Sequence, residues 1–378
     1  MVGLLLGQRT SLIGMDFGAC SVRAVQLQRA KGGWRIHHWV NIEHEPTSAQ
    51  QPLPDYESEL RLAFGPGTFT GSRAALVLSP PDVEYKLLEV PPAVLARTGD
   101  ELKAALAFEL ERVMPWSPDD LEIAAWPVDP HGGTGGNAMI VGARSSSVQS
   151  LLSVLATQDL DCAHAEIVPN AMLPVCRGQL NILDDPTRSP LWAVLDLGYR
   201  SCRLYIMHDD QLIFARVLRA GGRELTETLA RELHVEFRIA EQYKRIYGIR
   251  QTDRGFRSLV GGLSRISEDA LPSVVYAILR PTLDALISEI ERSYRFALGR
   301  LPTNVPNGPM FLIGGGARLQ GLAEVLSSRL GLQVCLPDPR GALVGKSAAP
   351  LGGHPACNAM NFPVLAPCIG LAMLEEAA

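Results

Sequence analysis

The feature that most restricts what this chain can become is a strand, a tight turn and a second strand that occur twice. The first copy reads Ile13-Gly14-Met15-Asp16-Phe17-Gly18-Ala19-Cys20-Ser21-Val22-Arg23. The second reads Leu191-Trp192-Ala193-Val194-Leu195-Asp196-Leu197-Gly198-Tyr199-Arg200-Ser201-Cys202-Arg203. In each, an apolar run ends on a carboxylate, a glycine follows two positions later, and a β-rich run leaves at once. A single Asp-x-Gly is what any turn favours for backbone reasons. Two copies, each continuing into a hairpin at Gly32-Gly33 or Asp209-Asp210, predict two similar units facing each other. Such turns can clasp one phosphate chain between them. Gly18, without a Cβ, lets bare backbone approach a ligand, and successive turn amides can converge on an anion. Asp16, fixed at a strand end, is placed to hold a hydrated cation.

A chain of 378 residues with 47% hydrophobic content buries one full core and more naturally two. Its net charge of -5 gives no reason to expect nucleic acid or an anionic membrane surface as a partner. No apolar run approaches the ~20 residues of a spanning helix, and Gly3-Leu4-Leu5-Leu6-Gly7 is too short for a signal-peptide core, so a cytoplasmic location without membrane insertion is expected. The seven cysteines are dispersed and never spaced C-x-x-C, which suits reduced, buried thiols; Cys20 and Cys202 fall in the two turns, where small-side-chain packing accounts for them.

Between the copies, the sequence predicts a short helix over Tyr56 to Phe64, strands over Ala74 to Leu78 and Val83 to Val90, and a helix capped by Asp100 and stopped by Pro115. Leu121 to Val128 and Asn137 to Val141 resemble a hairpin, and Val83 to Val128 reads as an insertion in the first unit. Ser145 to Gln158 is helical. Ala163 to Ile167 brings Glu166 to a strand end, with Pro169 opening a helix to about Arg177. Glu166 is a candidate for aligning an attacking water, or else a helix-start acid satisfied by first-turn amides. Gly178 to Pro190 reads as the crossing between domains. Beyond the second copy, Glu241 and Lys244 share a helix face, where they are either a surface ion pair or part of a site. Arg254 to Arg265 looks irregular or β-like, and Pro281 divides Ser273 to Arg300 into two helices.

A third candidate site follows the buried strand Met310-Phe311-Leu312-Ile313. Gly314-Gly315-Gly316-Ala317-Arg318-Leu319-Gln320-Gly321 lies between that strand and a helix, so that a flat ring or a phosphate could rest against backbone. The chain has neither G-x-x-x-x-G-K-[ST] nor G-x-G-x-x-G after its first strand, which leaves nucleotide binding between two duplicated domains.

These residues resemble the actin-like ATPase superfamily, and within it the PilM family of type IV pilus assembly proteins. The closer match rests on Ile13 to Gly18 with Ser21-Val22-Arg23-Ala24-Val25, on Gly221-Gly222-Arg223-Glu224-Leu225-Thr226, and on Ala240-Glu241-Gln242-Tyr243-Lys244. It continues in Gly314 to Leu322 and in Ala366-Pro367-Cys368-Ile369-Gly370-Leu371-Ala372. The resemblance implies an α/β fold of two duplicated RNase H-like domains around a nucleotide cleft, with a small α/β subdomain inserted in domain I. The corresponding boundaries are 1–185 for domain I with its insertion at about 80–130, 190–358 for domain II, and a segment at 359–378 returning to domain I.

It further implies ATP and Mg²⁺ in the cleft, with Asp16 and Asp196 acting through metal-bound waters. Gly18, Ala19, Cys20 and Ser21 would wrap one side of the phosphates, and Gly198, Tyr199, Arg200 and Ser201 the other. Arg23 stands where the family usually has lysine. Glu241 and Lys244, beside Gly222, would reach the ribose or adenine edge, and Gly314, Gly315, Gly316 and Arg318 would back the base. The implied function is that of a cytoplasmic ATP-binding scaffold, peripheral to the inner membrane through a PilN-like partner whose cytoplasmic tail it grips beside the insertion. Other inner-membrane platform proteins and further copies of the chain are partners of the same kind. Bulk at Tyr199 and Arg200, and Cys20 in place of serine, set binding apart from turnover. The alternatives are a small-molecule kinase of the same superfamily, a nucleotide-independent docking platform, and a membrane-attached filament protein. For the last, the acidic Gly370 to Ala378 has the wrong charge.

Overall fold

The computed structural model describes residues 10–44, 56–65, 68–128, 136–182, 190–249, 271–299, 308–338, 343 and 361–374. The expected irregular stretch at Arg254 to Arg265 lies outside these residues.

Both Asp-x-Gly copies form the central strands of five-stranded sheets. In the first sheet, β1 (Thr10–Phe17) pairs antiparallel with β2 (Ser21–Ala30), which pairs with β3 (Gly33–Glu43). On its other side β1 pairs in parallel with β4 (Arg73–Leu78), reached through helix α1 (Tyr56–Ala63). A second, three-stranded sheet follows, from β5 (Val83–Glu89), the short helix α2 (Pro92–Leu95), α3 (Gly99–Val113), β6 (Leu121–Pro127) and β7 (Asn137–Arg144), with β7 in the middle. The central strand thus comes from beyond Val128, because only Asn137–Arg144 is buried along nearly its whole length and can be covered on both edges. Then α4 (Ser145–Ala156) leads to β8 (Asp161–Ile167), which closes the first sheet against β4, and α5 (Val168–Ile182) covers it.

The third sheet repeats the first. β9 (Leu191–Leu197), β10 (Cys202–His208) and β11 (Gln211–Leu218) form the antiparallel trio, and β12 (Met310–Ile313) and β13 (Val334–Cys335) add in parallel. The orders β3-β2-β1-β4-β8 and β11-β10-β9-β12-β13 correspond strand for strand. Helices α6 (Gly222–Leu233), α7 (Phe237–Tyr247), α8 (Leu271–Leu298) and α9 (Leu322–Leu330) complete this half. β9 is buried at every residue, which is why it reads as an uninterrupted apolar run rather than an alternating one.

Three local expectations are corrected. Helix α3 begins at Gly99 with Thr98 in the cap position, so Asp100 sits in the first turn, where its charge favours the helix dipole without capping. Helix α5 runs on to Ile182, into the stretch read as a crossing; 183–189 lie outside the described residues. Helix α8 is one helix through Pro281, since Leu279, Leu283, Leu286, Ile290 and Tyr294 are buried in one continuous stripe. A missing N–H and ring clash cost about 3 kcal/mol, while each buried leucine returns about 1.5–3 kcal/mol.

The last described helix, α10 (Phe362–Met373), is buried at almost every position and lies between β1 and α5. Two glycines allow this. A Cβ on Gly14 would lie 2.1 Å from the Cys368 carbonyl oxygen, and one on Gly370 would lie 1.7 Å from that of Ala171. The six described cysteines are free thiols; Cys357 lies outside the described residues. Among the described residues, no helix is long and apolar enough to cross a membrane.

Candidate functional site

The two turns have the same internal geometry. Gly18 N donates to Ser21 O at 2.9 Å and Gly198 N to Ser201 O at 3.0 Å, closing each bend with its own backbone. A Cβ at either glycine would lie 3.1 Å from that serine carbonyl, which would have to give by a few tenths of an ångström. Strand register then sets Arg23 directly opposite Asp16 on β2, and Arg203 directly opposite Asp196 on β10. Both arginines close onto their aspartates, Nη1 to Oδ2, at 2.5 Å and 2.7 Å, and all four side chains are largely buried. Arg203 was not singled out in the sequence, although an arginine seven positions after each aspartate is written there twice. Burial disfavours its charge, but the Asp196 carboxylate outweighs this and raises its pKa, and Asp16 acts in the same direction.

The turns, the glycine run and the α6–α7 pair line one cleft of about 1050 Å³, near the upper end of the size of small-molecule sites. Asp16, Gly18, Ala19, Cys20, Ser21 and Arg23 form one wall. Asp196, Gly198, Tyr199, Arg200, Ser201 and Gly222 form the facing one, with Glu241, Lys244, Gly314, Gly315, Gly316 and Arg318 around them. Glu166 is not among the lining residues. It stands in register with Asp16 two strands away, through Val77, and its Oε2 accepts from Asn170 Nδ2 at 2.9 Å across the first turn of α5.

The glycine run has divided duties. A Cβ on Gly316 would meet the Leu197 side chain at 2.3 Å, and Gly314, at φ 80°, would place one 2.4 Å from Asp196 Oδ1. Both are needed for close packing on β9. Gly315 alone faces open space, and a side chain there would fill the cleft.

Glu241 and Lys244 form a buried junction between α6 and α7 rather than a surface pair. Lys244 Nζ donates to Gly222 O at 2.9 Å, Thr226 Oγ1 at 2.7 Å and Glu241 Oε2 at 2.6 Å, which accounts for its three protons. Arg245 Nε donates to Glu241 Oε1 at 2.9 Å. Burial lowers the pKa of Lys244, opposed by Glu241; for Glu241 burial works upward, but Lys244, Thr226 and Arg245 outweigh it and hold the carboxyl below its ordinary range. At the cleft mouth Glu43 accepts from Arg245 and Arg318, each at 3.2 Å, and Arg318 also reaches Asn361 Oδ1. The α6 amides of Gly222 and Arg223 donate to Gly198 O and Tyr199 O, so this helix start is anchored to the second turn. Burial raises the Cys20 thiol to about 11, and the nearby Glu241 carboxylate adds to this; Tyr199, also desolvated and facing Cys20, rises to about 12.

A nucleotide fits this cleft by size, by the open position at Gly315, and by a lining in which basic side chains outnumber carboxylates by one. A magnesium ion held by Asp16 and Asp196 through water does not fit. Each carboxylate already carries a guanidinium on Oδ2, which cancels the charge that would hold the ion.

Comparison with known proteins agrees with this architecture. The family model for type IV pilus assembly protein PilM matches residues 14–252, and that for cell division protein FtsA matches 193–356. FtsA of Enterococcus hirae is 26% identical over 158 residues, 42% of this chain and 36% of the relative. FtsA of Rhizobium meliloti is 25% identical over 227 residues, 57% of this chain and 47% of the relative. The chain thus spans less than half the length of these curated relatives. Among solved structures, a PilM-PilN type IV pilus biogenesis complex matches with a TM-score of 0.72 at 22% identity, covering 96% of this chain and 98% of that one. The ethanolamine utilization protein EutJ of Carboxydothermus hydrogenoformans matches at 0.52 and 14% identity, covering 97% and 90%. These structures share the fold, that of the actin-like ATPases. With the family model matching well over half of its length, the chain belongs to the PilM family of type IV pilus assembly proteins.

Proposed function

We propose that the chain is a nucleotide-binding scaffold of a type IV pilus or related secretion machine, at the cytoplasmic face of the inner membrane, that holds the cytoplasmic tail of a PilN-like protein. The observation that carries the nucleotide reading is the pair of equivalent turns, Gly18–Ser21 and Gly198–Ser201, opening on one cleft with Gly315 facing empty space. The ligand class is a nucleoside diphosphate or triphosphate, and the site is one of binding. Glu166, the one acid nominated for turnover, is held by Asn170 off the cleft wall, which also argues against the kinase alternative. On this reading two domains, about 1–185 and 190–358, flank the cleft, and 359–378 belongs with the first.

Gly315→Leu tests the nucleotide site. Its side chain would enter open space, so calorimetry with ATP should lose binding at least about tenfold while the melting temperature holds. Unchanged affinity would reject the site.

The partner reading is supported by family membership and by the solved relative, which is a complex with PilN. Phe108, on α3 beside the three-stranded sheet, is 77% exposed, and among the described residues β5 and β6 are the outer strands of that sheet. An exposed aromatic next to outer strands suits capture of an extended peptide. Pull-down of the full chain on an immobilised tail peptide should weaken with Phe108→Asp; equal retention would place the tail elsewhere.

A further inference from the structure

We propose that this cleft binds its nucleoside phosphate without a divalent cation between Asp16 and Asp196, because Arg23 and Arg203 already cancel the charge of both carboxylates. The inference rests on the nucleotide reading above and concerns how charge is balanced in that same site.

The two halves place the same ion pair at the same register, Asp16 with Arg23 and Asp196 with Arg203, at 2.5 Å and 2.7 Å. A magnesium site built on one or two carboxylates draws the dication with their uncompensated charge and through waters donating to their free oxygens. Here both charges are cancelled by fixed guanidiniums. Of the two oxygens of Asp196, Oδ2 is taken by Arg203, and Oδ1 lies close enough to Gly314 that a Cβ there would be 2.4 Å from it.

A Cβ on Gly18 would lie 3.6 Å from Arg23 Nη1, and one on Gly198 would lie 3.2 Å from Arg203 Nη1, so each cation sits directly beneath its phosphate turn. Each turn therefore stands over a neutral ion pair, which has no net charge to draw a dication. Arg200 and Arg238 add basic character to the same lining. An arginine cannot be deprotonated at working pH, so the cancellation at Asp16 and Asp196 is permanent.

The test is calorimetry of the full chain with ADP and with ATP, in EDTA and again in excess magnesium. We expect dissociation constants in EDTA equal to those in magnesium within about threefold, or tighter. Binding about tenfold or more tighter in magnesium would overturn the proposal. Absence of heat in both buffers would remove the nucleotide reading itself, and the proposal with it, which is a distinct result from magnesium dependence. In parallel, electron paramagnetic resonance of Mn²⁺ titrated with the chain alone should keep the full free-ion signal; a stoichiometric loss would overturn the proposal. Arg203→Gln, if folded by circular dichroism, should bind about tenfold more weakly in EDTA and recover with magnesium. An equal loss in both buffers would assign the arginine a packing role and refute the proposal. Should that variant not fold, the wild-type and Mn²⁺ measurements decide.

Discussion

Replacing Lys244 by methionine keeps most of the stem and removes the ammonium that ties α6 to α7. Lys244 is 8% exposed and donates to three acceptors, so its loss leaves the Gly222 carbonyl, the Thr226 hydroxyl and Glu241 Oε2 short of a donor. Breaking a buried ion pair costs about 3–5 kcal/mol. Two facts reduce that here: Glu241 keeps Arg245 on its other oxygen, and its side chain is 23% exposed to water. The expected loss is therefore about 2–3 kcal/mol, read from tryptophan-monitored urea unfolding with an unchanged m-value. Glu241→Gln should cost about 1–2 kcal/mol, and the double variant should lose at least about 1 kcal/mol less than the sum. The pH dependence has a fixed sign. Since the folded Glu241 carboxyl is held below its unfolded value, its contribution is complete above the ordinary carboxylate range and is lost as pH falls through the lowered pKa. Lys244 is depressed too, so stability rises with pH between its folded pKa and the ordinary lysine value. A loss under about 0.5 kcal/mol for Lys244→Met, or additive single effects, would refute a buried junction and return the pair to the surface.

Asp196→Asn strands the Arg203 guanidinium in a largely buried place and should destabilise the chain by about 3 kcal/mol in the same assay, more than Asp196→Asn combined with Arg203→Met. Gly14→Ala puts a methyl 2.1 Å from the Cys368 carbonyl, and should displace α10 and lower the melting temperature sharply, whereas alanine at the exposed Phe108 leaves it within about 1 °C. Cys20, raised to about 11, should react with a disulfide reagent at pH 8 roughly 100-fold more slowly than a free thiol from thiolate fraction alone; a fast Cys20, located by peptide mapping, would contradict its desolvation.

Much of this was legible because the chain writes it twice. The Asp-x-Gly bends, their hairpins and the following strands appear as local patterns, and duplication turns two weak signals into one strong one. The glycine run also read correctly as a strand-to-helix turn, but its division of labour did not: only proximity to β9 shows that Gly314 and Gly316 serve packing and Gly315 the cleft. The pairing of Arg203 with Asp196 was present as spacing, yet the role emerges only when register sets the two opposite each other. Lys244 misled because its i,i+3 spacing from Glu241 is the same for a solvated pair and a buried one; α6, which covers it, comes from a separate run of sequence. Pro281 misled because a local rule about proline was outweighed by a stripe of leucines that pack on both sides of it.

Helix α10 gives the arrangement a temporal consequence. The face of β1 beneath Gly14 is covered by residues synthesised more than three hundred positions later. During translation the first half can pair its strands, but that face must wait, apolar and uncovered, until Cys368 and its neighbours leave the ribosome. The first described strand is therefore among the last to be sealed.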